Sequence, residues 1–153
     1  RQETPVATSS APPDFKCQKL ALSVLPSFIF LSTAAAKMEA FLGTWKVDSN
    51  EDFDKFLSYF GVSSTLAKLV ARLGSKTKFS RKDDAYAIKI SSVKGKTESI
   101  FRLGQEFEDN CSGGMPLKAI ITIEDGVMKH VQTGANETIT TTRRLEGNLM
   151  HVV

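Results

Sequence analysis

The chain has 153 residues, 41% of them hydrophobic and 24% charged. That is the make-up of a folded domain with its own core, not of a disordered or fibrous chain. The formal net charge is +3, and four of the 20 basic residues and two of the 17 acids lie before residue 38, so the rest is almost neutral and no general basic field calls for nucleic acid.

Arg1 to Pro13 is rich in Pro, Ser, Thr and Ala and reads as disordered. Lys16-Cys17-Gln18-Lys19 follows, then an apolar run from Leu20 to Leu31, then Ser32-Thr33-Ala34-Ala35-Ala36. A basic flank, an apolar stretch and a small-residue end outline a secretory signal. The run is too short to span a bilayer, and Pro26 interrupts it. Met38 then opens a stretch that reads as the start of a domain. Residues 1–37 are therefore read as a leader, signal-like or non-native, disordered and outside the fold, with the domain at 38–153. That division separates Cys17 from Cys111 and leaves no internal disulfide, which suits a reducing compartment.

Gly43 to Asp48 is a short strand, with Trp45 just inside it. A Gly lets the backbone bend there, and an indole can cover a barrel floor while its N–H finds a partner. Ser49-Asn50 offers a helix N-cap, and Glu51, Asp52 and Asp54 crowd the first turn. Phe53, Phe56, Leu57 and Phe60 form one apolar stripe at helical spacing, ended by Gly61. A second helix starts at once with Ser63 or Ser64 as cap. Its stripe is Val62, Leu66, Leu69, Val70 and Leu73, and Gly74 stops it. Lys68 and Arg72 lie on its polar side.

After Gly74 the period changes to two. Tyr86, Ile88 and Ile90 share one face of a strand, as do Leu117, Ala119, Ile121 and Ile123. Val127, Lys129 and Val131 alternate with Met128, His130 and Gln132. Ile139, Thr141, Arg143 and Leu145 share one face of another strand. Turn signals at Asp83-Asp84, Gly95, Leu103-Gly104, Asp125-Gly126 and Gly147-Asn148 set the rhythm of an antiparallel meander. Many short strands without a long crossover predict a sheet that closes on itself, with the two helices covering one end. A barrel of about ten strands is too wide to be filled by its own side chains, so its cavity becomes the function.

At this point the chain resembles the intracellular lipid-binding proteins, specifically the fatty acid-binding proteins. The resemblance runs from Met38 to Val153. It rests on Phe41-Leu42-Gly43-Thr44-Trp45-Lys46, Asp52-Phe53-Asp54, Phe60-Gly61-Val62 and Phe101-x-Leu103-Gly104-x-Glu106-Phe107. Gly126-Val127-Met128-Lys129-His130-x-Gln132 and Arg143 with Glu146-Gly147-Asn148 extend it. The resemblance implies a mainly β fold: a ten-stranded antiparallel up-and-down barrel with a helix-turn-helix lid after the first strand. It also implies non-covalent binding and intracellular transport of long-chain fatty acids or similar ligands, in the cytoplasm, by a monomer that is not an enzyme and uses no cofactor.

Physics supports such a ligand. Each buried methylene of a lipid tail contributes about 0.8 kcal/mol. The head must not be left unpaired, because an isolated buried charge is costly. The resemblance gives that task to Arg143; Arg144 beside it must face the other way. It places Phe53, Phe56, Leu57, Val62, Leu66 and Val70 along the lid and cavity. It gives Lys68 and Arg72 a portal role facing anionic membranes, with a solvated helix face as the plainer reading. His130 has no partner at ligand spacing and is not read as a metal site. Cys111 has no His-Asp set and is not read as a nucleophile.

Two features depart from the resemblance. Val93-Lys94-Gly95 stands where the family carries a portal aromatic. The family's last strand, which closes the barrel and bears an Arg-x-Tyr, has no counterpart after Val153. The expectation is a barrel lacking its final strand, with an open seam. The alternative reading is a secreted lipocalin-like carrier, which would require residues 1–37 to be a genuine signal.

Overall fold

Alternating apolar and polar side chains dictate the architecture. A computed structural model describes residues 18–22, 34–59, 61–110 and 117–153. Ten strands form one antiparallel sheet: β1 (Gln18–Leu22), β2 (Gly43–Ser49), β3 (Lys76–Lys82), β4 (Ala85–Ser92), β5 (Gly95–Phe101), β6 (Glu106–Asp109), β7 (Leu117–Glu124), β8 (Val127–Thr133), β9 (Thr138–Glu146) and β10 (Leu149–Val152). The sheet order is β5-β4-β3-β2-β1-β10-β9-β8-β7-β6. Its two edge strands, β5 and β6, are consecutive in the chain and meet without a backbone ladder. Side chains stitch that seam: Ser99 of β5 donates to Asp109 Oδ1 of β6 at 2.8 Å, and the Asn110 N–H donates to Ser99 Oγ at 2.8 Å.

The buried faces turn inward. In β7 the pattern buries Ala119, Ile121 and Ile123 and exposes Lys118, Ile120 and Glu124. In β8 it buries Met128, His130 and Gln132. One continuous core includes Phe79, Ile88, Phe101, Ile121, Met128 and Met150. The β7–β8 hairpin turns through Asp125 (φ 49°) and Gly126 (φ 77°), the pair of left-handed residues that a tight hairpin requires.

One expectation is corrected here. The sequence places the segment before Met38 outside the fold and predicts a barrel without a closing strand; of that segment, residues 1–17 and 23–33 lie outside the described residues. Instead, β1 lies between β2 and β10, antiparallel to both. Leu20 is opposite Met150 on one side and Val47 on the other, and it is 2% exposed. The apolar run was legible, but its use was not. Read as a signal, its hydrophobicity needs no further explanation; in the fold its first residues, Leu20 to Leu22, belong to a strand that covers an otherwise bare sheet edge.

The floor of the barrel lies under the short helix α1 (Ala34–Glu39). Met38, Phe41 and Trp45 are almost wholly buried there. The Trp45 indole N–H donates to the Phe41 carbonyl at 2.8 Å. Glu39 pairs with Arg81 across the outside of the floor. The domain boundary expected at Met38 therefore falls inside α1.

The other end carries α2 (Phe53–Tyr59) and α3 (Ser64–Leu73). Asn50 does not cap α2; its side-chain amide donates to the Ala71 carbonyl at 2.9 Å and ties the lid to the strand below. Ser63 is the N-cap of α3, and Gly74 ends it by donating to the Val70 carbonyl at 3.0 Å. Gly74 has φ 68°, and a Cβ there would lie 3.2 Å from Val47 Cβ. A glycine is needed at this junction on both counts.

Candidate functional site

Arg143 is placed by the alternation of β9. Its neighbour Arg144 is exposed, whereas Arg143 is 7% exposed. Across the sheet it faces Met128 of β8 and Val152 of β10. Its guanidinium carbon stands 5.7 Å from the centroid of the Phe79 ring. Phe79 is on β3, separated from β9 by three intervening strands, so this contact spans the barrel interior. A planar cation held against an aromatic face between apolar walls is suited to an anionic head whose tail lies among hydrocarbon.

Next to it lies a polar group that the sequence reading did not identify. Asp109 is fully buried. Its Oδ1 accepts from Ser99 Oγ, and its Oδ2 accepts from Gln132 Nε2 at 2.7 Å. His130 Nε2 stands 3.0 Å from the same Oδ2, close enough for an ion pair but poorly aligned for a hydrogen bond. The Phe107 ring stacks on His130 with centroids 6.0 Å apart. Burial is the main influence on His130 and pushes its pKa below the ordinary value; contact with Asp109 opposes this, and the charge of Arg143 adds to it. The signal for this group was present in the parity of β8: His130 and Gln132 lie on the same face as Met128. Considering His130 only as a metal ligand missed it. Among the described residues, no cluster of three or more His, Cys, Asp or Glu could hold a metal ion.

The lid residues divide. Phe53 and Phe56 stack with centroids 6.0 Å apart, and with Leu57 and Val62 they are half-buried. Val70 is buried. Leu66, expected on the inner face, is instead 37% exposed. It joins Leu69 and Leu73 in an outward leucine stripe, because Ala67 and Val70 take the buried face of α3. Lys68 and Arg72 are both exposed on the same helix. Phe60 and Cys111 lie outside the described residues. A cleft of about 430 Å³ opens below the end of α3, lined by Lys46, Val47, Leu73, Gly74, Ser75, Lys76, Ser91, Ser92 and Val93.

Comparison with known proteins agrees with this geometry. A fatty acid-binding protein homolog of Echinococcus granulosus is 33% identical, matching 72% of this chain and 84% of that protein. The adipocyte fatty acid-binding protein of Pygoscelis papua is 31% identical over 73% of this chain and 86% of its own length. The crystal structure of Echinococcus granulosus fatty-acid-binding protein 1 superposes with a TM-score of 0.67 at 33% identity, covering 76% of this chain and 90% of that one. A Schistosoma mansoni fatty acid binding protein in complex with arachidonic acid shares the fold with a TM-score of 0.67 at 23% identity, over 76% and 87% of the two chains. The profile of the lipocalin / cytosolic fatty-acid binding protein family matches residues 42–151, and the chain belongs to that family.

Proposed function

We propose that this protein binds long-chain fatty acids or similar anionic lipids in the barrel interior and carries them through the cytoplasm unaltered. The observation that carries this reading is Arg143: a buried guanidinium on an inward strand face, held against the Phe79 ring. Relatives named as fatty acid-binding proteins favour it over a secreted lipocalin-like carrier. Fluorescent fatty acid titration tests it. Arg143→Gln should weaken binding of a carboxylate ligand roughly 10- to 100-fold, the worth of a charged hydrogen bond in a dry site. A neutral alcohol of the same length should lose much less. Equal losses for both ligands would remove Arg143 from the site.

Delivery belongs to the same proposal. The exposed Leu66, Leu69 and Leu73 stripe with Lys68 and Arg72 suits transient contact between a monomer and an anionic membrane surface. Reversing both charges, Lys68→Glu with Arg72→Glu, should slow lipid transfer to anionic vesicles while leaving equilibrium affinity unchanged. An unchanged transfer rate would assign these residues to a solvated helix face.

A further inference from the structure

An apolar tail does not need a buried Asp and His beside it, and burying such groups opposes folding unless hydrogen bonds and paired charges offset the cost. Their placement follows from register. Met128 is opposite Arg143, and His130 is opposite Thr141, all on the inward face. Arg143 is thus the diagonal neighbour of His130 across the β8–β9 ladder, at a backbone separation of roughly 7–8 Å, within reach of a long side chain. From β6, Asp109 and the Phe107 ring face His130; from β7 it is opposite Ile121. Among the described residues, the charged groups that act on His130 are the anion Asp109 and the cation Arg143.

We propose that His130 is a proton-linked specificity residue of the head-group site: when an anionic head occupies Arg143, His130 takes up a proton from solvent. The proposal deepens the lipid-carrier reading and rests on it. In the ligand-free protein the Arg143 cation opposes a second positive charge on His130. A bound carboxylate offsets that cation and adds an anion nearby, so the imidazolium becomes favourable. The Asp109 carboxylate, 3.0 Å from its Nε2, then supplies the counter-charge. A neutral head does not change this balance. The site thereby selects ionised heads by charge, beyond what Arg143 does alone. The sign follows: a group protonated more readily in the complex makes affinity rise as pH falls between its free and bound pKa values, by at most about tenfold per pH unit.

The test is an imidazole NMR titration of the full chain. Only two histidines need to be told apart, His130 and the half-buried His151. With laurate bound, the His130 midpoint should rise by one unit or more; with lauryl alcohol bound, it should stay at the free value. In ligand-free Arg143→Gln the His130 midpoint should already be higher than in the wild type. If laurate occupies the interior, as shown by shifts of Phe79 and Met128 resonances, and the His130 midpoint does not move, the proposal is overturned while the carrier reading stands. Equal shifts with acid and alcohol would also overturn it, since burial and not charge would then be responsible. Failure of both lipids to bind would overturn the carrier reading itself, and the proposal with it.

Discussion

Trp45 combines a buried ring with one satisfied polar atom. Trp45→Phe keeps most of the apolar volume and leaves the Phe41 carbonyl without its donor. We expect a loss of about 1–3 kcal/mol in urea unfolding. Gly74 is a different case: φ 68° and the close approach of Val47 make any side chain strained. Gly74→Ala should cost about 1–3 kcal/mol and loosen the end of α3 at which the lid is anchored. Hydrogen exchange at the Gly74 amide, which donates to Val70, reads that loosening directly. His130 gives the pH dependence. Its folded pKa is lowered, chiefly by burial, so its stabilising effect is fully present above the unfolded value of about 6.5 and is lost as pH falls through that value toward the folded one. The melting temperature of the ligand-free wild type should therefore drop more steeply than that of His130→Gln between about pH 7 and about pH 5.

At the level of elements, legibility depended on how many signals agreed. The two lid helices were legible because apolar stripes at helical spacing were each followed by a glycine, Gly61 and Gly74, around helices at 53–59 and 64–73. Their exposure was not, since one wide apolar face on α3 can bury either Leu66 or Ala67 and Val70, and only packing decides. Strand β1 is five residues long, and its sequence could equally serve an apolar signal. What distinguishes it is the register with β10 and β2, which lie 21 or more residues away in sequence, beyond the reach of local pattern. Leu20→Ala should cost about 2–5 kcal/mol if the strand closes the barrel, read as a shift of the urea midpoint. A shift too small to measure would mean that β1 is not part of the cooperative fold.

On the scale of the whole molecule, the barrel was legible from the alternation after Gly74, and Arg143 from its strand parity. The Ser99–Asp109–Gln132–His130 group was not, because its members come from three strands and join only when β5 and β6 meet. Closure has one more consequence, which concerns synthesis. The first strand of the described chain pairs with the last, β1 with β10. On the ribosome, residues 18–22 emerge long before residues 149–152 have been joined to the chain. The β1–β2 pairing can form early, but the outer edge of β1 must stay open until β10 has been made. Contacts of such long range are slow to form, and an open apolar edge can capture a strand from another nascent chain. For this protein, yield on expression should depend on how soon β10 becomes available to β1, more than on the stability of the finished barrel.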